Sequence, residues 1–420
     1  MHVVLVGARP EAIRSVMDLG HELTLLYEGT EHARVAPFRH AIKRACAVDS
    51  YRIGESLWSA LHHTEALTRG VDAVVSVAEK GVVPAAILGR MLGARALDPE
   101  TALRCRDKAV QKSAWRRAGI RTADHLVIPD AGACAGPVSR LVKEAGLAAP
   151  FILKPLAGGG TANVAAAVDE AELDSLIAAT LERDPTMRRL LIESRIGGDE
   201  WHVDGVVMKG LLHSIMVSRY RTPLIETKQG RPVATIALQP DDHRGVYAEA
   251  RDITQRALAA LGHTDGVFHF ELFGGPGDFV AGELGARPAG HMVSSMGEHV
   301  LGFDIWDAAV RVVTGDPLRP PRPVSGQVVG YTAIPTEAGK INRVTRADIA
   351  SVPGVVDVRM RIQPGAVMPD MRVSSGIRIG TALVKAPSEI DCRAVLDEVV
   401  ARALAINRTV TPSDRQETVA

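Results

Sequence analysis

The first apolar positions, VVLVG from Val3 to Gly7, form a short β-branched run, and helical spacing of apolar residues follows from Glu11 to Leu19. ELTLLYE and VDAVVSVAE come next, and a second helical stretch spans Val83 to Met91. Strands alternating with helices predict a parallel α/β sheet over residues 1–96. Gly7 invites a dinucleotide-binding reading, but GARPEA lacks the second and third glycines of that phosphate fingerprint. From Asp98 the pattern changes to a charged helix, RDKAVQKSAWRRAGI, and then to strands such as FILKP, LLIES, WHVDGVVM, GVFHFELF and FVAGEL. That texture is α+β with antiparallel hairpins. DPLRPPRPV, Asp316 to Val324, predicts an extended linker. Beyond it, residues 325–406 hold short Val- and Ile-rich strands with Gly or Pro turns and one amphipathic helix, Cys392 to Ala405. The polar end, 407–420, reads as a flexible tail.

Length and charge narrow the partners. At 420 residues the chain suits two or three domains of roughly 100 to 200 residues each. Lys plus Arg and Asp plus Glu both number 49, so no global field favours nucleic acid or an anionic membrane, and any anion must be held by local groups. Small-molecule partners are expected. Cys46, Cys105, Cys134 and Cys392 lie far apart, which suits reduced thiols and argues against metal binding through sulfur. MHVVLVGA has neither a basic leader nor a cleavage site, and no apolar run approaches the roughly 18 residues of a membrane helix. A cytoplasmic location is the expectation, and a homodimer is compatible with the chain.

Three segments carry candidate chemistry. In FILKPLAGGGTANV an apolar strand delivers Lys154 and then enters Gly158, Gly159 and Gly160. Gly-rich backbone can turn its amides toward one point, and a nearby lysine adds charge for phosphate oxygens. Alone, this is equally well a flexible turn after a strand, and no Walker motif follows. In LLIESRIGGDEWHVDGVV, Glu193 ends one strand and Glu200 begins the next, so both could face a cleft whose backbone is open to a base edge, or simply sit on a surface hairpin. The third segment, VFHFELF–GGPGD–FVAGEL, reads as a β-hairpin. Pairing Phe273 with Phe279 would place Glu271 opposite Ala281 and Glu283 opposite His269, with the two glutamates diagonal on one face at about 7 to 8 Å. Like charges there ask for a cation, and oxygen ligands suit Mg²⁺. Arg287 continues on the same face, placed to meet an anion.

Taken in order, Lys108, Lys154 with Gly158 to Gly160, Glu193 with Glu200, then Glu271, Glu283 and Arg287, the series resembles the ATP-grasp superfamily of ligases over roughly residues 97–315. The resemblance implies an ATP-grasp fold, α/β and α+β, with an N-terminal parallel α/β domain, a mobile lid about residues 125–195 and a small C-terminal β-rich domain. It implies that Lys108 and Lys154 contact ATP phosphates, that Gly158 to Thr161 form the phosphate loop, and that Glu193 with the Ser194 to Ile196 backbone meets adenine. Glu200 would take the ribose, Glu271 and Glu283 the Mg²⁺ (or Mn²⁺) ions, and Arg287 the phosphoryl group in flight.

HFEL followed by GELGARPAGHM is most similar to the L-amino acid ligases of the bacilysin-pathway type. Two departures stand out. Gly285 replaces the asparagine that many ATP-grasp enzymes carry two residues after the second metal glutamate, and RPVATIALQP lacks the Glu and His expected before its proline where a free amine is bound. His291 falls where these ligases line the acyl-substrate pocket, and Arg219 and Arg221 are further candidates for a substrate carboxylate. The implied activity joins a small-molecule carboxylate to an amine through an acyl phosphate, consuming ATP. A small-metabolite kinase and a non-catalytic nucleotide-binding protein are the alternatives.

Overall fold

The computed structural model describes residues 1–134, 136–321 and 326–408. The N-terminal residues build a four-stranded parallel sheet in the order Arg44–Val48, Glu22–Glu28, His2–Val6, Ala73–Ser76. Every residue of His2–Val6 is buried, as a central strand covered on both faces requires. Helices Pro10–Asp18 and Val82–Leu92 stand within a residue of the predicted stretches. The chain leaves His2–Val6 toward one side and later returns to Ala73–Ser76 on the other. The crevice beyond those two strand ends is therefore a topological switch point, where open α/β sheets bind ligands.

Two antiparallel sheets follow. The smaller, in the order His125–Ile128, Leu190–Ser194, Phe151–Pro155, Ala165–Ala167, packs on helices Val138–Glu144 and Glu170–Arg183. The larger has eight strands in the order Val280–Gly285, Gly266–Gly274, Asp199–Met208, Leu211–Tyr220, Ala234–Ala237, Val328–Ile334, Gly380–Ala386, Val355–Met360. Alternation along its strands feeds two cores. One side packs on helices Lys108–Arg117 and Arg244–Leu261, and the other on Val293–Val300 and Ile305–Thr314.

The C-terminal strands extend this sheet instead of making one of their own, because Val328–Ile334 pairs directly with Ala234–Ala237. Part of the Pro-rich linker, 322–324, and residues 409–420 of the expected tail lie outside the described residues. Asn407, placed in that tail by sequence, is instead buried in the last turns of helix Glu389–Arg408. No helix among the described residues is long and apolar enough to cross a membrane.

Candidate active site

A cleft of about 660 Å³ opens between the two antiparallel sheets and reaches the switch point. On strand Gly266–Gly274, His269 and Glu271 face the cleft while Phe268, Phe270 and Leu272 enter the core beneath. The register differs from the expected one. Phe273 stands opposite Val280, not Phe279, so the loop is one residue longer than expected, and Gly282 is then an extra bulged residue that brings Glu283 directly opposite Glu271 and Gly285 opposite His269. A Cβ at Gly282 would meet the Phe273 ring at 2.6 Å, so the bulge requires glycine. The glutamates share a face as expected, but as immediate neighbours.

Opposed carboxylates repel unless countered. Lys108 Nζ lies 2.8 Å from Glu283, and His269 Nε2 lies 3.6 Å from Glu271. His269 is fixed by Asp204 at 2.8 Å, which also meets His202 at 2.5 Å, and His202 reaches Thr235 at 2.9 Å. Burial alone would discharge His269, but Asp204 and Glu271 raise its pKa to about 10 and keep it cationic. Ligand atoms of His202, Asp204 and His269 lie within 4.8 Å of one another, a spacing that could suit a metal, yet the three already satisfy one another inside the sheet.

The oxygen-only pair Glu271 and Glu283, facing the cleft, is the set that fits a hard cation such as Mg²⁺. Glu200 reports the same deficit of positive charge. Burial and the neighbouring Glu271 push its pKa up to about 8, even though the Leu224 amide donates to it at 2.7 Å.

On the smaller sheet, Lys154 meets Glu193 at 2.8 Å. Lys112, from the helix capped by Asp107, meets the same carboxylate at 3.0 Å. Burial would raise Glu193, but the two lysines outweigh it and hold the carboxyl down at about 2. Glu193 thus anchors two lysines where it lines the cleft. The Ser194 and Arg195 amides donate to the carbonyls of Asp124 and Pro150, and residues 194–198 run along the cleft.

The Gly-rich loop is tied down at both ends. Arg106 donates to the Gly158 carbonyl at 2.8 Å, Ser374 to the Gly160 carbonyl at 3.0 Å, and the Ser375 amide to Thr161 Oγ1 at 3.0 Å. Thr161 holds φ at +55°, a strained value for a β-branched residue.

Arg287 lines the cleft and pairs with Glu79, whose other oxygen lies 2.9 Å from Arg106. His291 lines it too, stacked on Tyr331 with ring centroids 5.6 Å apart. Arg219 and Arg221 do not line it. Alternation turns Tyr220 into the cleft and the two arginines away, Arg219 to Asp199 at 3.3 Å and Arg221 to Asp397. Residues that pattern reading did not single out are Arg9 and Glu79, which follow the two strand ends at the switch point, together with Lys112, Arg361 and Arg378. Strand order, had it been inferred, would have signalled the first two.

A small antiparallel sheet facing a larger antiparallel sheet across such a cleft, preceded by a parallel α/β unit, is the ATP-grasp fold. No family model matches the chain. Over 312 residues it is 28% identical to the L-arginine-specific L-amino acid ligase of Bacillus subtilis, covering 72% of this chain and 73% of that one. It is 25% identical over 348 residues to an uncharacterized protein of Sinorhizobium fredii, covering 81% and 69%. The L-amino acid ligase from Bacillus licheniformis superposes with a TM-score of 0.76 at 19% identity, over 96% of this chain and 98% of that one. Carboxyaminoimidazole ribonucleotide synthase from Aspergillus clavatus, complexed with ATP, gives 0.71 at 15%, over 96% and 99%.

Proposed function

We propose that this chain is an ADP-forming ligase that joins a small-molecule carboxylate to an amine, acting in the cytoplasm. The observation that carries the proposal is one cleft in which Lys154 and the loop Gly158–Thr161 meet Glu271, Glu283 and Arg287. In this reading Lys108 and Lys154 hold ATP phosphates under the Gly-rich loop, the turn at Ile196 meets the adenine, and Glu200 takes the ribose. Glu271 and Glu283 would hold Mg²⁺, or Mn²⁺ in its place, which when bound neutralises charge on the phosphates.

The substrate carboxylate attacks the γ-phosphorus, forming a carboxyl–phosphate bond as ADP leaves. The amine then attacks the acyl carbon, loses a proton and expels inorganic phosphate. No protein nucleophile is required. Lysines and Arg287 position and stabilise the transferring group, and the tied loop excludes water from the acyl phosphate. The test is incubation with ATP, Mg²⁺ and amino-acid pools, following ADP and phosphate with mass spectrometry of products. ATP-dependent amide products are expected, and hydroxylamine should trap the acyl phosphate. Phosphorylated product without amide would assign a kinase instead.

A further inference from the structure

Beyond the lysines and Arg287, the cleft carries a second set of cations at its far end. Arg9 leaves the central parallel strand at the switch point and lies over the Trp306 ring at 5.1 Å. Arg361 and Arg378 come from the C-terminal strands and loops, and each donates to the Gly376 carbonyl, at 3.3 and 2.9 Å. That uses one of the five donors of each guanidinium. Arg378 is only 7% exposed, and its Nε has no hydrogen-bond partner.

Among the described residues no Asp or Glu oxygen comes within 4.0 Å of any of these three side chains. The two acids that act on Arg9 from farther off are paired with other arginines. Glu31 holds Arg34 at 2.7 Å, and Glu11 faces Arg359 at 3.5 Å. Burial lowers all three arginines, Arg378 to about 10 with Arg361 and Arg9 adding to it; Arg34 weighs on Arg9 and Arg361, and Glu31 and Glu11 offset part of the effect at Arg9. Burial, with the same three cations, drives His291 well below its ordinary range, so it stands there as a neutral imidazole whose Nδ1 lacks a partner. Clustered guanidinium groups without a directly paired carboxylate are costly unless an anion completes them, and their planar forks match carboxylate or phosphate oxygens.

We infer that the molecule bound beside Arg287 and His291 carries, apart from the group that reacts, an anionic carboxylate or phosphate held by Arg9, Arg361 and Arg378. This inference rests on the ligase reading and names its substrate class. The cleft should therefore disfavour a cationic amino acid such as arginine, the substrate named for the Bacillus subtilis relative.

Calorimetric titration of the full chain, saturated with a non-hydrolysable ATP analogue and Mg²⁺, tests it with four probes: L-glutamate, succinate, O-phospho-L-serine and L-arginine. At least one anionic probe is expected to bind about tenfold or more tighter than arginine. Preference for O-phospho-L-serine would identify the phosphate source, and preference for glutamate or succinate the carboxylate source. Arg361→Gln and Arg378→Gln should each weaken that probe by about tenfold while leaving binding of the ATP analogue unchanged. Arg361→Gln, at an exposed position, serves if Arg378→Gln does not fold. The inference is overturned if arginine binds as well as the anions, if no anionic probe binds, or if both variants bind like the parent. Failure of the parent chain to bind the ATP analogue would instead strike the ligase reading.

Discussion

The two ends of the cleft handle positive charge in opposite ways. At the lysine end the buried and half-buried cations have protein carboxylates: Lys112 and Lys154 share Glu193, Lys108 has Glu283, and Arg106 and Arg287 share Glu79. At the arginine end Arg9, Arg361 and Arg378 have only carbonyls and a ring. Built-in counter-charges hold a side chain in one place before a ligand arrives, which suits groups that must meet a transferring phosphoryl at fixed positions. An unmatched cluster leaves the ligand to supply the charge, so it discriminates between ligands.

Removing a carboxylate from the matched end should therefore be severe. Glu283→Ala is expected to lower ADP formation by on the order of 10³-fold, read in a coupled ADP assay, and near-normal turnover would remove the metal assignment. Glu193→Gln strands two buried lysines and should cost about 3–5 kcal/mol in urea denaturation. The direction of its pH dependence follows from the depressed carboxyl. Stability from Glu193 is present above the ordinary carboxylate range and is lost as pH falls toward about 2, so the variant should lack that acid-side loss.

Gly282→Ala should cost about 1–3 kcal/mol and raise the Mg²⁺ concentration needed for half-maximal ADP formation, because the bulge sets Glu283 opposite Glu271. Unchanged melting and Mg²⁺ dependence would show that the register tolerates a side chain. Glu200→Gln addresses the cleft carboxyl that is pushed upward. Its folded form holds a proton that the unfolded chain releases near the ordinary carboxylate range, so parent stability should decline as pH rises from there to about 8, with the variant declining less. Parallel melting curves for the two would contradict this. Arg221→Ala, on the outer face, should change stability by no more than about 0.5 kcal/mol and leave ATP-dependent turnover within about twofold.

Much of this was legible in residue pattern. Period-two alternation placed Glu271 and Glu283 on one face, and alternating strands and helices announced the parallel sheet. The register of the hairpin was not legible, since a bulge is one residue's departure from the very periodicity used to find the strand. Arg219 and Arg221 were misplaced for a related reason. Tyr220 sets the phase of that strand, and only its burial shows which side faces the cleft. Arg9, Glu79, Arg361 and Arg378 escaped because they meet through strand order and through a C-terminal extension of the sheet, neither of which leaves a local signature.

That extension also bears on how the protein is made. During synthesis from the N-terminus, the parallel sheet, the smaller antiparallel sheet and most of the larger sheet emerge before Val328–Ile334 does. Until then Ala234–Ala237 is a buried-type strand with an open edge, the kind of edge that recruits other chains. Pairing with Val328–Ile334 closes that edge, and residues 374–378 then bring the loop clasp and Arg378. Completion of the fold and completion of the site thus coincide at the ribosome, and a chain released early has neither.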